Sequence, residues 1–262
     1  MEFAFSGVAA WLLAAGFFAG ALNALAGGGS FLTLPALMAV GVPPVAANAT
    51  GTAALLPGYA ASLLVDHRRL RTLWRALGMR LLVLFLVVGV LGGALGAALL
   101  LLTGDARFRA FIPWLLLLAT LLFALGPWLQ RRAAHAAHAA HPALARVAGA
   151  GLGCVYGGYF NGGVGILLLA ILRGQGMADL AQANALKNLL STVLTLIAVV
   201  VFVVGGQVVA TGLLAVGAGA ILGARVGIGL LGVLPEPRYR HLVTLVGAGT
   251  TVLFFVDPGW LG

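Results

Sequence analysis

Phe5 to Ala26 is a run of 22 residues without a charge, and it stops at three consecutive glycines, Gly27, Gly28 and Gly29. At 1.5 Å per residue, a helix of that length crosses the ~30 Å hydrocarbon core of a bilayer. Apolar runs of similar length recur at Pro44 to Val65, Leu77 to Leu102, Ala110 to Leu129, Leu180 to Val204 and Val208 to Leu234. With 62% hydrophobic and 8% charged residues, the chain has more apolar surface than a soluble core can use. The expected fold class is therefore an all-α polytopic membrane protein of about eight to ten membrane segments. The sequence MEFAFSGVAAWLL has no positive n-region and carries Glu2, so the first apolar run is expected to stay rather than to be cleaved.

Two shorter runs break the pattern. Phe31 to Val40 reaches only about half the core and leads into Pro43-Pro44; it is either a short crossing or one arm of a re-entrant hairpin. Ile166 to Leu172 follows Asn161-Gly162-Gly163-Val164-Gly165 and stops at RGQGMAD. Glycine and proline interrupt helices, and interrupted backbone is tolerated at membrane depth only where protein buries it or it lines a watery cavity. Such a break, at matching places in two halves, is the usual pointer to a transport site.

The two halves match in order. Ala47-Asn48-Ala49 pairs with Ala183-Asn184-Ala185, GGALGA from Gly92 with GAILGA from Gly219, and Asp105-Ala-Arg107-Phe-Arg109 with Glu236-Pro-Arg238-Tyr-Arg240. The expected organisation is a first repeat over 1–130, a His/Arg linker over 131–142 and a second repeat over 143–262. Arginines cluster at 66–75 and 130–142, which places both in the cytoplasm, with TGDARFR as an outside connection. An inverted second repeat puts EPRYRH and Arg173 in the cytoplasm too, and requires an odd number of crossings per half, five plus five if the short runs cross. Two glycine patterns, Gly89-x-x-x-Gly93 and Gly92-x-x-x-Gly96, predict close helix contact.

The formal charge of +9 lies largely in loop arginines and reports orientation, which argues against a nucleic-acid partner. Cys154 is the single cysteine, so no internal disulfide exists. His135, His138 and His141 recur every three residues without a carboxylate or thiolate nearby; a solvated linker is expected, and no metal. The sequence contains no P-loop, no Ser/His/Asp constellation and no HExxH, and neither an enzyme nor a cofactor is expected.

Lys187 and Arg225 stand inside apolar runs, whereas the acidic residues fall at termini or connections. A charge at the bilayer centre costs at least ~2.5–3.5 kcal/mol on insertion scales and normally marks a pathway or a pair. An anion is a natural partner for both; the alternative is that they snorkel or bond carbonyls at helix breaks. Helices restarting at Ser30 and Ile166 would present unpaired N–H groups to that anion, with Gly allowing close approach. Asn48 and Asn184 could donate to it or could bond backbone instead. Thr50, Thr52, Tyr59 and Asn188 are weaker candidates, and Asn23 and Asn161 could cap the breaks.

The stretch GFFAGALNALAGGGSFLTLPALMAVGVPPVAANATGTAALLPG resembles the first-repeat signature of the sulfite exporter TauE/SafE family, also called the 4-toluene sulfonate uptake permease family, and YGGYFNGGVGILLLAILRGQGMADLAQANALKNLLS resembles its degenerate second copy. The resemblance implies a bacterial inner-membrane carrier of sulfite, sulfoacetate or related sulfonates. It implies that Asn23, Gly27, Gly28, Gly29, Pro35, Asn48 and Thr50 line or shape the site, with Gly162, Gly163, Gly165 and Asn184 matching in the second copy. Val164 interrupts the second glycine run, no proline follows it, and Lys187 stands where small or hydroxyl residues are usual.

The expected site is thus Asn23, Gly27, Gly28, Gly29, Ser30, Asn48, Thr50, Gly162, Gly163, Gly165, Asn184, Lys187 and Arg225. The expected function is export of a small organosulfur oxyanion by alternating access; the alternatives are an uptake permease for sulfonates and a channel-like anion pore. The expected partners are that anion and the lipid bilayer, with a second copy of the chain as a candidate homodimer partner.

Overall fold

The structure, a computed structural model, describes residues 2–65, 72–75, 77–136, 142–177, 179–230 and 235–256. Helix α1 (Glu2–Ala26) ends at Gly27, whose φ of 82° turns the chain. A nine-residue α2 (Ser30–Met38) follows, then α3 (Pro44–Val65), which opens on proline where a missing N–H costs nothing. Helix α4 (Met79–Ala136) is bent at Gly104. The second half repeats this order: α5 (Ala143–Tyr159), a break, the eleven-residue α6 (Val164–Gly174), α7 (Leu180–Val204), α8 (Ala210–Leu230) and α9 (Glu236–Val256).

Both short helices fall well under the ~20 residues a crossing needs, so α2 and α6 are half-length arms. Five helices among the described residues are long and apolar enough to cross a membrane, in α1, α4, α7, α8 and α9. The 58 residues of α4 suffice for two crossings, one on each side of Gly104. The chain is a multi-pass membrane protein. Two expectations about connections need correction. TGDARFR is not a loop: helix continues on both sides of one residue, Gly104, whose φ of 71° and ψ of 165° redirect the chain. EPRYRH is not a loop either, because α9 starts at Glu236.

Helix contact follows the glycines. Gly16 and Gly20 of α1 face the backbone of Val216 and Ala220, while Gly219, Gly223 and Gly227 of α8 face that of Leu13, Phe17 and Ala21. A second pair does the same: Gly92 and Gly96 of α4 lie against Gly151, Val155 and Tyr159 of α5. Gly89 and Gly93 serve a different neighbour, meeting Leu190 and Leu194 of α7. The two overlapping glycine patterns of α4 therefore hold two partners, because residues one apart point about 100° away from each other.

Helix α3 is the centre. Every residue from 44 to 55 is buried, so its first half touches protein on all sides. That enclosure permits Asn48, Thr50 and Thr52 in a helix at membrane depth. Its N-terminus is tied to the α4 bend, where Asp105 Oδ1 accepts from the Val45 N–H at 2.9 Å. In the other half α7 caps itself, with Asp179 accepting from the N–H groups of Ala181 and Gln182 at 2.8 and 3.3 Å.

Candidate polar cavity at the helix breaks

Two cavities stand out by lining. One, about 740 Å³, runs along α1, α2, α8 and α9 between Trp11, Phe17, Phe18, Leu32 and Leu253, and is apolar apart from Thr250. The other, about 580 Å³, is polar and sits where the breaks meet: α1 contributes Asn23, the first break Gly27, α3 Gly58, Tyr59 and Ser62, α6 Gly165, and α8 Ala224 and Ile228. Its polar wall is α7, through Asn184, Lys187, Asn188 and Ser191. These positions are i, i+3, i+4 and i+7, one stripe of a helix.

Each break is built differently. At the second, Gly163 has a φ of 73° and Asn161 a φ of 67°, so the chain reverses in two left-handed residues. Asn161 is 1% exposed and fully employed: its Nδ2 donates to Thr195 Oγ1 at 3.3 Å, and its Oδ1 accepts from the Tyr59 hydroxyl at 3.1 Å. Tyr156 donates to the Gly162 carbonyl at 2.6 Å. The α6 terminus has no side-chain cap, and Gly165 in its first turn fronts the cavity. Lys187 crosses that turn, its Nζ 3.9 Å from where a Cβ on Gly165 would stand. At the first break only Gly27 reaches the cavity. Gly28 and Gly29 are packed: added Cβ atoms would come within 2.5 Å of Val243 and 2.8 Å of Leu55.

The expected site residues therefore divide. Asn23, Gly27, Gly165, Asn184 and Lys187 line one cavity. Gly28, Gly29, Ser30, Gly162 and Gly163 are buried in the breaks and shape them. Asn48 donates to the Tyr159 carbonyl at 3.1 Å, and Thr50 Oγ1 accepts from the Val209 N–H at 3.0 Å; both brace α3 and neither lines the cavity. Arg225 is exposed and points away, since α8 lines the cavity through its neighbour Ala224. Lys187, which has no acidic residue at its own depth in the sequence, holds an interaction within the protein, as does Asn188. His138 and His141 lie outside the described residues. Among the described residues no cluster suited to a metal ion occurs.

Ser191 went unnoticed in the sequence. It is 2% exposed, it belongs to the cavity wall, and its Oγ has no hydrogen-bond partner; the buried Oδ1 of the half-buried Asn23 has none either. A buried polar atom left unpaired costs ~1–3 kcal/mol, a cost natural proteins tend to carry where function needs it. The stripe spacing from Asn184 could have found Ser191.

A multi-pass helical protein with a polar cavity at paired helix breaks belongs structurally with membrane transporters. Residues 12–254 match the model of the family described as sulfite exporter TauE/SafE, and the chain belongs to that family. A "Probable membrane transporter protein" of Haemophilus influenzae is 29% identical over 253 residues, covering 95% of each chain. The "Probable membrane transporter protein YfcA" of Escherichia coli K12 is 30% identical over 254 residues, 93% of this chain and 90% of the relative. A "Probable membrane transporter protein ORF9" of a Sinorhizobium species is 28% identical over 262 residues, 97% and 96% of the two chains. No solved structure matches the chain. The protein is a membrane transporter.

Proposed function

We propose that the transporter exports a small organosulfur oxyanion, such as sulfite, sulfoacetate or a related sulfonate, from the cytoplasm across the inner membrane by alternating access. The observation that carries this reading is the cavity in which Lys187 lies over the uncapped start of α6 while Gly27 enters from the other break. A side-chain ammonium and a helix N-terminus directed at one polar space favour an anion. The family to which the chain belongs is one described as sulfite exporters. Because α2 doubles back along α1 and α6 along α5, three crossings remain in each half, the odd number that an inverted duplication over 1–130 and 143–262 requires. The basic stretches 66–75 and 130–142 then face the cytoplasm. An inside-negative potential of 100 mV favours outward movement of one negative charge by ~2.3 kcal/mol, so export can proceed without ATP.

The test is flux of sulfite or sulfoacetate in proteoliposomes under an imposed potential. Saturable flux with counterflow that follows the potential is expected, and Lys187→Ala should lower it by about tenfold or more, the scale of losing one charge-assisted contact. Flux linear in concentration would mean a pore. No flux of either anion would remove the reading.

A further inference from the structure

We propose that the groove between α8 and α9 holds one acyl chain of an anionic phospholipid, with Arg225 and Arg238 binding the headgroup phosphate at its mouth. The groove is the apolar space of about 740 Å³ along α1, α2, α8 and α9. It exists because α8 and α9 make almost no direct contact and because Ala14, Ala21, Ala36 and Ala39 leave it hollow. Trp11, Phe18, Val226 and Leu242 on its walls are about half exposed, so it opens on the surface that the bilayer covers.

Its two side-chain donors are engaged within the protein. The Thr250 hydroxyl donates to the Val246 carbonyl at 2.8 Å, and the Trp11 indole N–H donates to the Ala36 carbonyl at 3.3 Å. Water and oxyanions gain no partner there, so hydrocarbon fills the space. The shape selects which hydrocarbon. From Trp11 to Leu25 is fourteen residues of α1, about 21 Å at helical rise, more than the ~15 Å that one leaflet contributes to the core. Spread over that length, the volume is a bore of about 35 Å², too narrow for a helix 10–12 Å across. An alkyl chain, ~4 Å wide by carbon contact, fits it.

The charge lies at one end. Arg225 and Val226 are consecutive on α8, and Val226 lines the groove. On α9 the lining residues Leu242, Val246 and Thr250 recur every four positions, and Arg238 is the next step back, one turn before Leu242. Both arginines are exposed, and among the described residues neither side chain has an ion pair or a hydrogen bond. Arg225 stands five residues, about 8 Å, before the last described residue of α8, within snorkelling reach of an interface. In the orientation proposed above, that end of the groove faces the cytoplasm. Two guanidinium groups beside a slot one alkyl chain wide match a phosphate head joined to its chain.

The experiment measures lipid held by the purified, delipidated full-length protein, by native mass spectrometry and by melting temperature in detergent, with dioleoylphosphatidylglycerol or dioleoylphosphatidylethanolamine supplied. One phosphatidylglycerol per chain, bound about tenfold tighter than phosphatidylethanolamine, is expected. Arg225→Gln combined with Arg238→Gln should bring that ratio to near one, while Arg107→Gln, at an exposed arginine by the α4 bend, should leave it unchanged. Ala14→Phe should exclude both lipids by filling the groove from an exposed position; Ala39→Phe serves where Ala14→Phe does not fold. Equal binding of both lipids to the native chain overturns the proposal, and so does a preference that Arg107→Gln removes as fully as the double variant. Binding that both phenylalanine variants leave intact means an ordinary lipid shell and overturns it too. A lipid-free dimer that either of them splits assigns the groove to a second copy of the chain and overturns the lipid. Lipid binding is read without flux, so each outcome leaves the transport reading where it stands.

Discussion

Asn48 and Asn184 sit in the same local sequence, Ala-Asn-Ala, and do different work. Asn184 is half-buried on the stripe of α7 that faces the cavity, whereas Asn48 is 4% exposed in the enclosed half of α3 and holds the end of α5 through Tyr159. Asn48→Ala should therefore destabilise the fold by ~1–3 kcal/mol, because the Tyr159 carbonyl loses its side-chain donor, and should leave the KM for anion flux within about twofold. Asn184→Ala should do the reverse, raising KM with little change in melting temperature. Arg225→Ala is expected to leave flux unchanged, since its side chain is exposed on a face that does not line the cavity. The sequence could identify polar residues in apolar helices but could not separate these two asparagines. What distinguishes them is which neighbours surround each helix, and that is settled by contacts more than a hundred residues apart. Lys187 was legible, because a lysine within a long apolar run is costly wherever the helix lies.

Helices were legible in extent where they end on strong signals. Pro44–Val65 and Leu180–Val204 have the bounds their sequences predict, one opened by proline and the other by the Asp179 cap. The polar heptapeptide TGDARFR misled because every residue in it except glycine is a workable helix former, so a single left-handed Gly104 replaces the expected loop. Asp105, beside that bend, ties it to α3, and Asp105→Ala should lower stability by ~1 kcal/mol, as loss of a cap does, without altering substrate affinity. The glycine faces make a sharper demand. A side chain on Gly96 would enter the backbone of Val155 and Tyr159, which cannot move aside, so Gly96→Val should abolish the monodisperse detergent-extracted protein. Gly249→Ala, where an added Cβ meets nothing within 4 Å, should extract as the native chain does.

At the scale of the whole molecule the cavity is shared between halves: α1 and α3 from one, α6, α7 and α8 from the other. Alternating access then predicts that substrate changes the exposure of wall positions such as Ala61 and Ala224. The native Cys154 is 0% exposed among apolar neighbours, so it should stay silent to thiol reagents. Ala61→Cys should react, and saturating sulfite should change its labelling rate; an unaltered rate would argue for a rigid pore.

Because α1 finds its closest backbone neighbour in α8, and α4 in α5, neither half contains the surface that satisfies its own glycines. The polar first half of α3 leaves the translocon long before α7 and α8, which complete its surroundings, have been synthesised. Biogenesis must therefore hold an unfinished bundle until the last helices arrive. A ribosome product truncated at residue 136 should be cleared by membrane proteases, and supplying residues 137–262 as a separate chain should rescue it.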